Sequence, residues 1–269
     1  MPYSDTAPET LYKRDMFHVI KHGTGREAVA SIILMLCFMK LYDCPGESKD
    51  IRERLTRAYS NYHLWCIAEG KTTSIKRFSR ANLHYLKAAA FPYLSGKGSD
   101  TTLVLMYLSF QLKLFLANLQ HPDHKKRLQA ALVQVDSTLN FLGILHSHDL
   151  FLPRCCAKLM MTEGLKALRS YNFLAQEAVQ MGKRLFCLRP KFHSWAHTVW
   201  DLKASVENGD PFQLNPAIFN CEQNEDFIGR VSRVSRHVAA KTVISRTLMR
   251  YGLGFASKLR KLRRRSRGA

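Results

Sequence analysis

Apolar residues recur every three or four positions along most of this 269-residue chain. That spacing places them on one face of an α-helix, whereas a half-buried strand would alternate apolar and polar side chains. In one segment Ile51, Leu55, Ala58, Tyr62 and Trp65 step by four, three, four and three positions. The pattern predicts a mostly α-helical fold, and a hydrophobic content of 46% is sufficient to build a buried core.

The predicted helices end at glycine, at proline or in polar loops. They cover residues 26–41, 49–69, 77–90, 101–119, 125–145, 153–181, 191–206 and 226–250. Only residues 12–20 and 184–188 alternate enough to predict short strands. The helix over residues 101–119 contains a single charge, Lys113, and is barely long enough to cross a bilayer, so we favour a buried core helix there.

Positive charge is concentrated at the carboxyl end of the chain. The formal net charge is +20, and the residues after Gly229 include thirteen Lys or Arg and no Asp or Glu. The preceding residues hold 28 basic and 21 acidic side chains, so they are only mildly basic. We therefore predict a disordered segment at residues 1–9, a helical globular domain at 10–220 and a basic helical tail at 221–269.

The tail combines its charge with an apolar stripe. Ile244, Leu248, Tyr251, Phe255 and Leu259 follow one another at helical spacing, and Leu262 continues the series. Charge this one-sided indicates a polyanionic partner, first of all DNA, and the predicted contact residues are Arg230, Arg233, Arg236, Lys241, Arg246, Arg250, Lys258, Arg260, Lys261, Arg263, Arg264, Arg265 and Arg267. A basic amphipathic helix can also lie on an acidic membrane or pair with a partner helix.

Seven cysteines occur in the chain, with no C-x-x-C pair. We expect reduced, buried thiols in an intracellular protein, and the basic tail adds the expectation of a nuclear one. The chain opens on a polar segment, which does not match a secretory signal. No residue pattern indicates a cofactor or a small-molecule ligand.

Two short motifs suggest ligand chemistry without completing it. Residues 95–99 resemble a phosphate loop, but Phe91 stands where such a loop needs glycine, so we predict an ordinary flexible loop. His193 and His197 are one helical turn apart and Asp201 follows one turn later, which makes them the best candidates for metal ligands. Since a structural zinc site normally has four ligands, we predict that these histidines pack within the fold and hold no metal.

Asp15 is the one candidate for a catalytic carboxylate. It precedes the alternating apolar stretch and, at the end of a strand, such a carboxylate would be able to bind Mg²⁺. One carboxylate does not make a two-metal site, because two or three must converge on the metal ions. The alternative is that Asp15 caps the start of a helix.

Two strings resemble parts of the CACTA and Kyakuja–Dileera–Zisupton groups of eukaryotic transposases. The first is residues 15–34, which begin Asp-Met-Phe-His, and the second is Arg-Pro-Lys-Phe-His at residues 189–193 together with His197. The resemblance implies one or two remnant strands of a ribonuclease-H-like core and places Asp15 near the position of a metal-binding carboxylate. Glu163, Glu177 and Asp201 are the candidates for a third acidic residue.

Three functions follow as expectations. The first is a transposon-derived nucleic-acid-binding protein that is catalytically incomplete. The second is a helical scaffold whose basic tail binds an acidic membrane or a protein. The third is a divergent Mg²⁺-dependent nuclease centred on Asp15. The sequence contains no complete catalytic motif, which favours the first two.

Overall fold

A computed structural model describes residues 13–118, 122–236 and 238–266, and these residues form eight α-helices and one two-stranded sheet. The predicted mostly α-helical class is confirmed. The predicted disordered segment at residues 1–9 lies outside the described residues. The helices are α1 Gly25–Phe38, α2 Ile51–Ala68, α3 Gly98–Ala117, α4 Pro122–Ser147, α5 Arg154–Gln180, α6 Pro190–Asn208, α7 Glu222–Ser235 and α8 Val243–Ser266.

The chain divides into two compact units, Met1–Asn220 and Cys221–Ala269. The first unit contains α1 to α6, and the second contains α7 and α8.

Helix α1 is the central element of the first unit. Every residue from 27 to 37 is buried, which is the expected state of a helix that is apolar on all sides. Around it, α2, α3 and parts of α4 and α5 contribute to one large hydrophobic core. Helix α2 begins at a well-formed cap, because the Asp50 carboxylate accepts hydrogen bonds from the backbone N–H groups of Arg52 and Glu53 at 2.6 and 3.0 Å.

A second core joins α4, α5 and α6 to a π-helix at Phe17–Thr24. Its centre is the fully buried Trp195 of α6, whose ring meets Phe141 edge-on at 5.5 Å. Ile20 of the π-helix is also fully buried in this cluster. As a result, α6 packs directly on the segment that contains Asp15 and His22.

The strand predicted over residues 12–20 is wrong, because the chain is helical from Met16 onwards. The Asp15 carboxylate accepts a hydrogen bond from the Phe17 N–H at 2.9 Å, and the Thr24 hydroxyl donates to the Val19 carbonyl oxygen at 3.1 Å. Local side-chain bonds of this kind favour turns and helix starts over extended backbone.

The strand predicted over residues 184–188 is also wrong, since this segment has no regular structure. Phe186 has a φ of +54°, which an extended strand does not allow. Its backbone N–H donates to the Ser31 hydroxyl of α1 at 2.9 Å, so a contact with the central helix replaces strand pairing.

The helix predicted over residues 77–90 is replaced by irregular turns. His84 has a φ of +48°, which interrupts an α-helix, and its ring stacks on Tyr93 with centroids 3.8 Å apart. The Arg80 guanidinium donates to the carbonyl oxygens of Tyr85 and Leu86 at 3.0 and 2.7 Å. These bonds take the place of the helical ladder.

The single helix predicted over residues 226–250 is divided into α7 and α8, with a 3-10 turn at Ala240–Thr242 before α8 begins. The division brings Phe227 of α7 against Tyr251 of α8, with ring centroids 5.6 Å apart. This aromatic contact between the two helices would be impossible within one continuous helix.

The sheet pairs two segments that the sequence did not mark as strands. Strand β1, Phe151–Pro153, runs antiparallel to β2, Phe212–Leu214, with Phe151 opposite Leu214. Asn215 follows β2 and its side-chain amide donates to the carbonyl oxygens of Leu145, His148 and Asp149 at 3.1, 2.8 and 2.9 Å. This two-stranded sheet is the only one among the described residues, and it does not include Asp15.

Two helices, Gly98–Ala117 and His124–Ser147, are long and apolar enough to cross a membrane. In these helices 44% and 50% of the apolar window is buried inside the structure, and the core helix of a soluble protein meets the same criterion.

The seven cysteines are free thiols. The expectation that they are buried is correct for Cys37 and Cys66 but wrong for Cys44 and Cys155, which are exposed.

Candidate nucleic-acid interface

The second unit exposes many basic side chains. Eight of the predicted contact residues have side chains that the structure describes, and all eight are exposed: Arg233, Arg236, Lys241, Arg246, Arg250, Lys258, Arg260 and Arg263. Arg230, Lys261, Arg264 and Arg265 lie within α7 or α8, and Arg267 lies outside the described residues.

The periodicity of α8 places Arg246, Arg250 and Arg260 on the side away from its apolar stripe, whereas Lys258 lies beside the stripe. Arg246 and Arg250 are one turn apart, and Arg260 lies about four turns beyond Arg246 at 3.6 residues per turn. The opposite side of the helix bears Ile244 and Leu248. The last three turns of α8 are rich in arginine, a position where positive charge also interacts favourably with the helix dipole.

The apolar stripe of α8 is not covered within the second unit. Ile244, Leu248 and Phe255 are 77%, 67% and 56% exposed, and only Tyr251 and Leu259 fall below 40%. An apolar face this open beside a row of cations allows two kinds of contact. The cations can meet phosphates, and the apolar face can meet a lipid or another helix.

In the first unit the two transposase-like strings lie against each other. The Lys191 ammonium donates a hydrogen bond to the His22 carbonyl oxygen at 2.8 Å. Gly23 is packed so closely that a Cβ atom there would lie 2.7 Å from Cδ of Lys191. The Thr198 hydroxyl contacts the Met16 sulfur at 3.4 Å. Residues far apart in the sequence thus pack against one another.

A buried carboxylate at this junction is surrounded by cations. Glu27 is 3% exposed, and its Oε1 lies 3.5 Å from Nε of Arg189. Burial raises the pKa of Glu27, although Arg189, Arg26 and Lys191 act in the opposite direction. The pKa of Lys191 is lowered by burial and by the neighbouring Arg26. Arg26 also lies over the Tyr93 ring at 4.6 Å. Positive charge at this junction therefore exceeds negative charge.

Asp15 has the role of a helix cap. Its carboxylate accepts from the Phe17 N–H, and its other oxygen lies 2.6 Å from Nδ1 of His18. Both contacts fix the first turn of the π-helix. This geometry corresponds to the capping interpretation of the sequence rather than to a carboxylate at the end of a strand.

The three candidates for a further acidic residue each form an ion pair. Asp201 accepts from Arg14 at 2.5 Å, Glu163 from Lys166 at 2.7 Å, and Glu177 from Arg127 at 2.8 Å. Burial would raise the pKa of Glu163, but hydrogen bonds from Lys166 and Asn140 outweigh it, so its pKa is lowered. These carboxylates serve as partners of nearby cations in the first unit.

The predicted histidine pair is formed, whereas its third partner is engaged elsewhere. Nε2 of His193 lies 2.8 Å from Nε2 of His197, and the rings are nearly perpendicular. One imidazole must donate and the other accept for this contact to be a hydrogen bond. Asp201, the candidate third ligand, has its carboxylate on Arg14.

The glycine-rich loop at residues 95–99 is held by Asp100. The carboxylate of Asp100 accepts from the backbone N–H groups of Lys97 and Ser74 at 3.1 and 3.0 Å and from the Ser74 hydroxyl. Gly98 is closely packed, since a Cβ atom there would lie 2.6 Å from Cε2 of Phe17. The loop is thus attached to both the π-helix and the segment before Ile75.

Sequence reasoning did not identify Arg26 as a member of the charged cluster around Glu27. It also did not predict that Arg52 of α2 and Arg77 line one cavity. The sequence offered one clue to the charged cluster, which is that Arg26 and Glu27 follow the Gly-Thr-Gly string at residues 23–25. It offered none for Arg52 and Arg77, because they come together only through an irregular segment.

Comparison with family models, with curated proteins and with solved structures finds no match to this chain. The transposase resemblance therefore rests on the quoted strings alone and stays a prediction.

Proposed function

We propose that this protein binds nucleic acid, with DNA as the first expectation, and that the second unit supplies the phosphate contacts. The observation that carries the proposal is the row of exposed cations on α7 and α8, where the chain beyond Gly229 has no acidic residue. Phosphate contacts of this kind provide affinity without base specificity, because they release condensed counterions from the nucleic acid.

A transposon origin and a catalytically incomplete state extend this proposal. Support comes from the contact between the string around His22 and the string around Lys191, which are the two parts of the chain that resemble transposases. The nuclease alternative has less support, because Asp15 caps a helix and lies on no described strand. A nuclear location would accompany the proposed partner.

The exposed apolar stripe of α8 favours a second candidate function, which is docking on an acidic membrane or on a partner helix. Membrane binding depends on Leu248 and Phe255 as well as on charge. Phosphate contacts made by the second unit depend on its charge and not on the apolar stripe of α8. The two functions therefore make opposite predictions for apolar variants.

The experiment compares a triple charge variant of the full chain with a double apolar variant. In the first, Arg246, Arg250 and Arg260 are changed to Gln, and in the second Leu248 and Phe255 are changed to Gln. Binding to a labelled DNA duplex is measured by fluorescence anisotropy, and binding to vesicles of mixed neutral and anionic lipid by flotation. Our proposal predicts DNA binding that is weakened at least about tenfold by the charge variant and unchanged by the apolar variant.

Tight vesicle binding by the parent chain that is lost in the apolar variant, together with no measurable DNA binding, would establish the second candidate in place of the first.

A further inference from the structure

A basic cavity lies on the first unit, between α2 and residues 77–81. It is open and has a volume of about 490 Å³. Its lining includes three arginines and two aromatic rings, and none of its described lining residues is acidic. The arginines are Arg52, Arg77 and Arg80, and the aromatic residues are Tyr59 and Phe78.

Two of the three guanidinium groups are available for a ligand. Arg80 is already engaged, since it donates to two backbone carbonyl oxygens of its own loop. Arg52 and Arg77 are exposed and form no side-chain hydrogen bond or ion pair with the residues that the structure describes. The cavity thus has one arginine that shapes its wall and two whose guanidinium groups are not hydrogen-bonded to the described residues, although the charge of Arg52 also acts on the nearby Asp50 carboxylate.

The aromatic wall of the cavity is rigid. Phe78 is buried and stacks on the buried Tyr62 with centroids 5.4 Å apart, while Tyr59 meets Phe78 edge-on at 5.7 Å. The Tyr59 hydroxyl donates to the Ile75 carbonyl oxygen at 3.3 Å, which fixes its ring. The exposed His63 stacks on Tyr59 at 5.8 Å. A planar ligand would therefore meet the partly exposed Tyr59 ring, which the buried Phe78 already holds in place.

A second cavity adjoins the first and shares Arg77 with it. It also has a volume of about 490 Å³, and it contains Lys76 and the Ser95–Gly96 turn. None of its described lining residues is acidic either. Asp100 approaches Gly96, but its oxygens accept hydrogen bonds from Ser74 and Lys97, so its charge is locally satisfied. Arg77 therefore stands between two basic cavities.

We propose that these two cavities bind adjacent nucleotides of a single-stranded nucleic acid, with a base against the Tyr59 ring of the aromatic wall and phosphates at Arg52 and Arg77. Aromatic surface combined with available arginines is the chemistry by which proteins bind unpaired strands. A base inside a duplex cannot reach such a wall because it remains stacked on its neighbours. This inference rests on the proposed nucleic-acid binding and adds a preference for unpaired strands.

The first measurement is the affinity of the full chain for a labelled 12-nucleotide oligo(dT) and for a duplex of the same length. Changing Arg52 and Arg77 to Gln should weaken oligo(dT) binding about tenfold and lower the slope of log K against log salt by about 1.4, because each phosphate contact on a single strand contributes about 0.7. Changing Tyr59 to Leu should weaken oligo(dT) binding about tenfold and leave duplex binding within about twofold. The matched control changes Lys158 and Arg169 of α5, both exposed, to Gln and should have no such effect.

The second measurement does not depend on variants that must fold. Oligo(dU) with photoreactive 5-iodouracil bases is cross-linked to the unmodified chain, which is then digested with trypsin and analysed by mass spectrometry. The tryptic peptide of residues 58–71 contains Tyr59 and should carry a cross-link. Cross-links confined to peptides after residue 221, with unchanged affinity in the Arg52 and Arg77 variant, would overturn the cavity proposal and leave tail binding intact. Failure of the parent chain to bind either oligo(dT) or the duplex would overturn both the cavity proposal and the proposed nucleic-acid binding.

Discussion

The Lys191 ammonium donates a hydrogen bond to the backbone carbonyl oxygen of His22, 2.8 Å away and across a separation of 169 residues. This bond connects the first turn of α6 to the end of the π-helix. It also brings the positive charge of Lys191 close to Arg26 and Arg189, around the buried Glu27. The junction is therefore a place where stability depends on the balance of charge.

Glu27→Gln tests that balance. Because burial raises the pKa of Glu27, its contribution to stability is fully present below the ordinary glutamate pKa and is lost as pH rises through the higher folded-state pKa. The glutamine variant has no such loss. We expect its free energy of unfolding, relative to the parent, to increase by on the order of 1 kcal/mol between pH 4 and pH 7.5. Urea denaturation at the two pH values measures this, and a relative stability that decreases with pH would contradict the assignment.

Gly164→Ala tests the packing of α5 on α6. A Cβ atom at Gly164 would clash with Cγ2 of Val199 and lie 3.3 Å from the Phe141 ring. We expect a destabilisation of about 1–3 kcal/mol, because the helices would have to move apart. Gly143 is the matched control, since it also lies inside a helix but a Cβ atom added there would have nothing within 4 Å.

Gly143→Ala should stabilise the protein by about 0.5–1 kcal/mol through its better helix propensity. Thermal or chemical unfolding of both variants decides the matter. Equal effects of the two substitutions would show that α5 and α6 do not pack as described.

The His193–His197 pair should contribute to stability without a metal. Its two Nε2 atoms lie 2.8 Å apart, and the Asp201 carboxylate is bound to Arg14. Changing both histidines to Gln should cost about 1 kcal/mol, as for one exposed hydrogen-bonded contact. Chelator and added Zn²⁺ should leave the Tm of the parent unchanged. A rise in Tm with Zn²⁺ that disappears in the double variant would reveal a metal site.

Asp15→Ala should reduce stability by about 0.5–2 kcal/mol, because the first turn of the π-helix loses its cap. The bonds at risk are those from the Phe17 N–H and from the His18 ring. We also expect the purified parent chain to leave DNA uncut in the presence of Mg²⁺ or Mn²⁺. Reproducible cleavage that is absent from the Asp15 variant would favour the nuclease alternative.

Much of the fold could be predicted because periodicity and helix boundaries agree. Pro153 and Pro190 stand at helix starts, and Gly209 ends α6 with a φ of +83°. The errors lie where contacts outside the regular helical pattern decide the backbone. Arg80 bonds to Tyr85 and Leu86 instead of continuing a helix.

The same reason limits prediction of the sites. The basic surface of α8 follows from composition and helical spacing, so the sequence identifies it. The cavity near Arg77 depends on an irregular segment that packs on α2, and no periodic pattern specifies that conformation. The hydrogen bond between Lys191 and His22 joins two segments that are 169 residues apart, and no local sequence pattern predicts that contact.

The most direct test of the account is the salt dependence of DNA binding by the parent chain and by a chain that ends at residue 256. The truncation removes seven of the thirteen basic residues that follow Gly229. Each lost phosphate contact lowers the slope of log K against log salt by about 0.9, so we predict a slope smaller by at least about 2 and weaker binding at low salt. An unchanged slope in the truncated chain would contradict the central claim that the tail neutralises DNA phosphates.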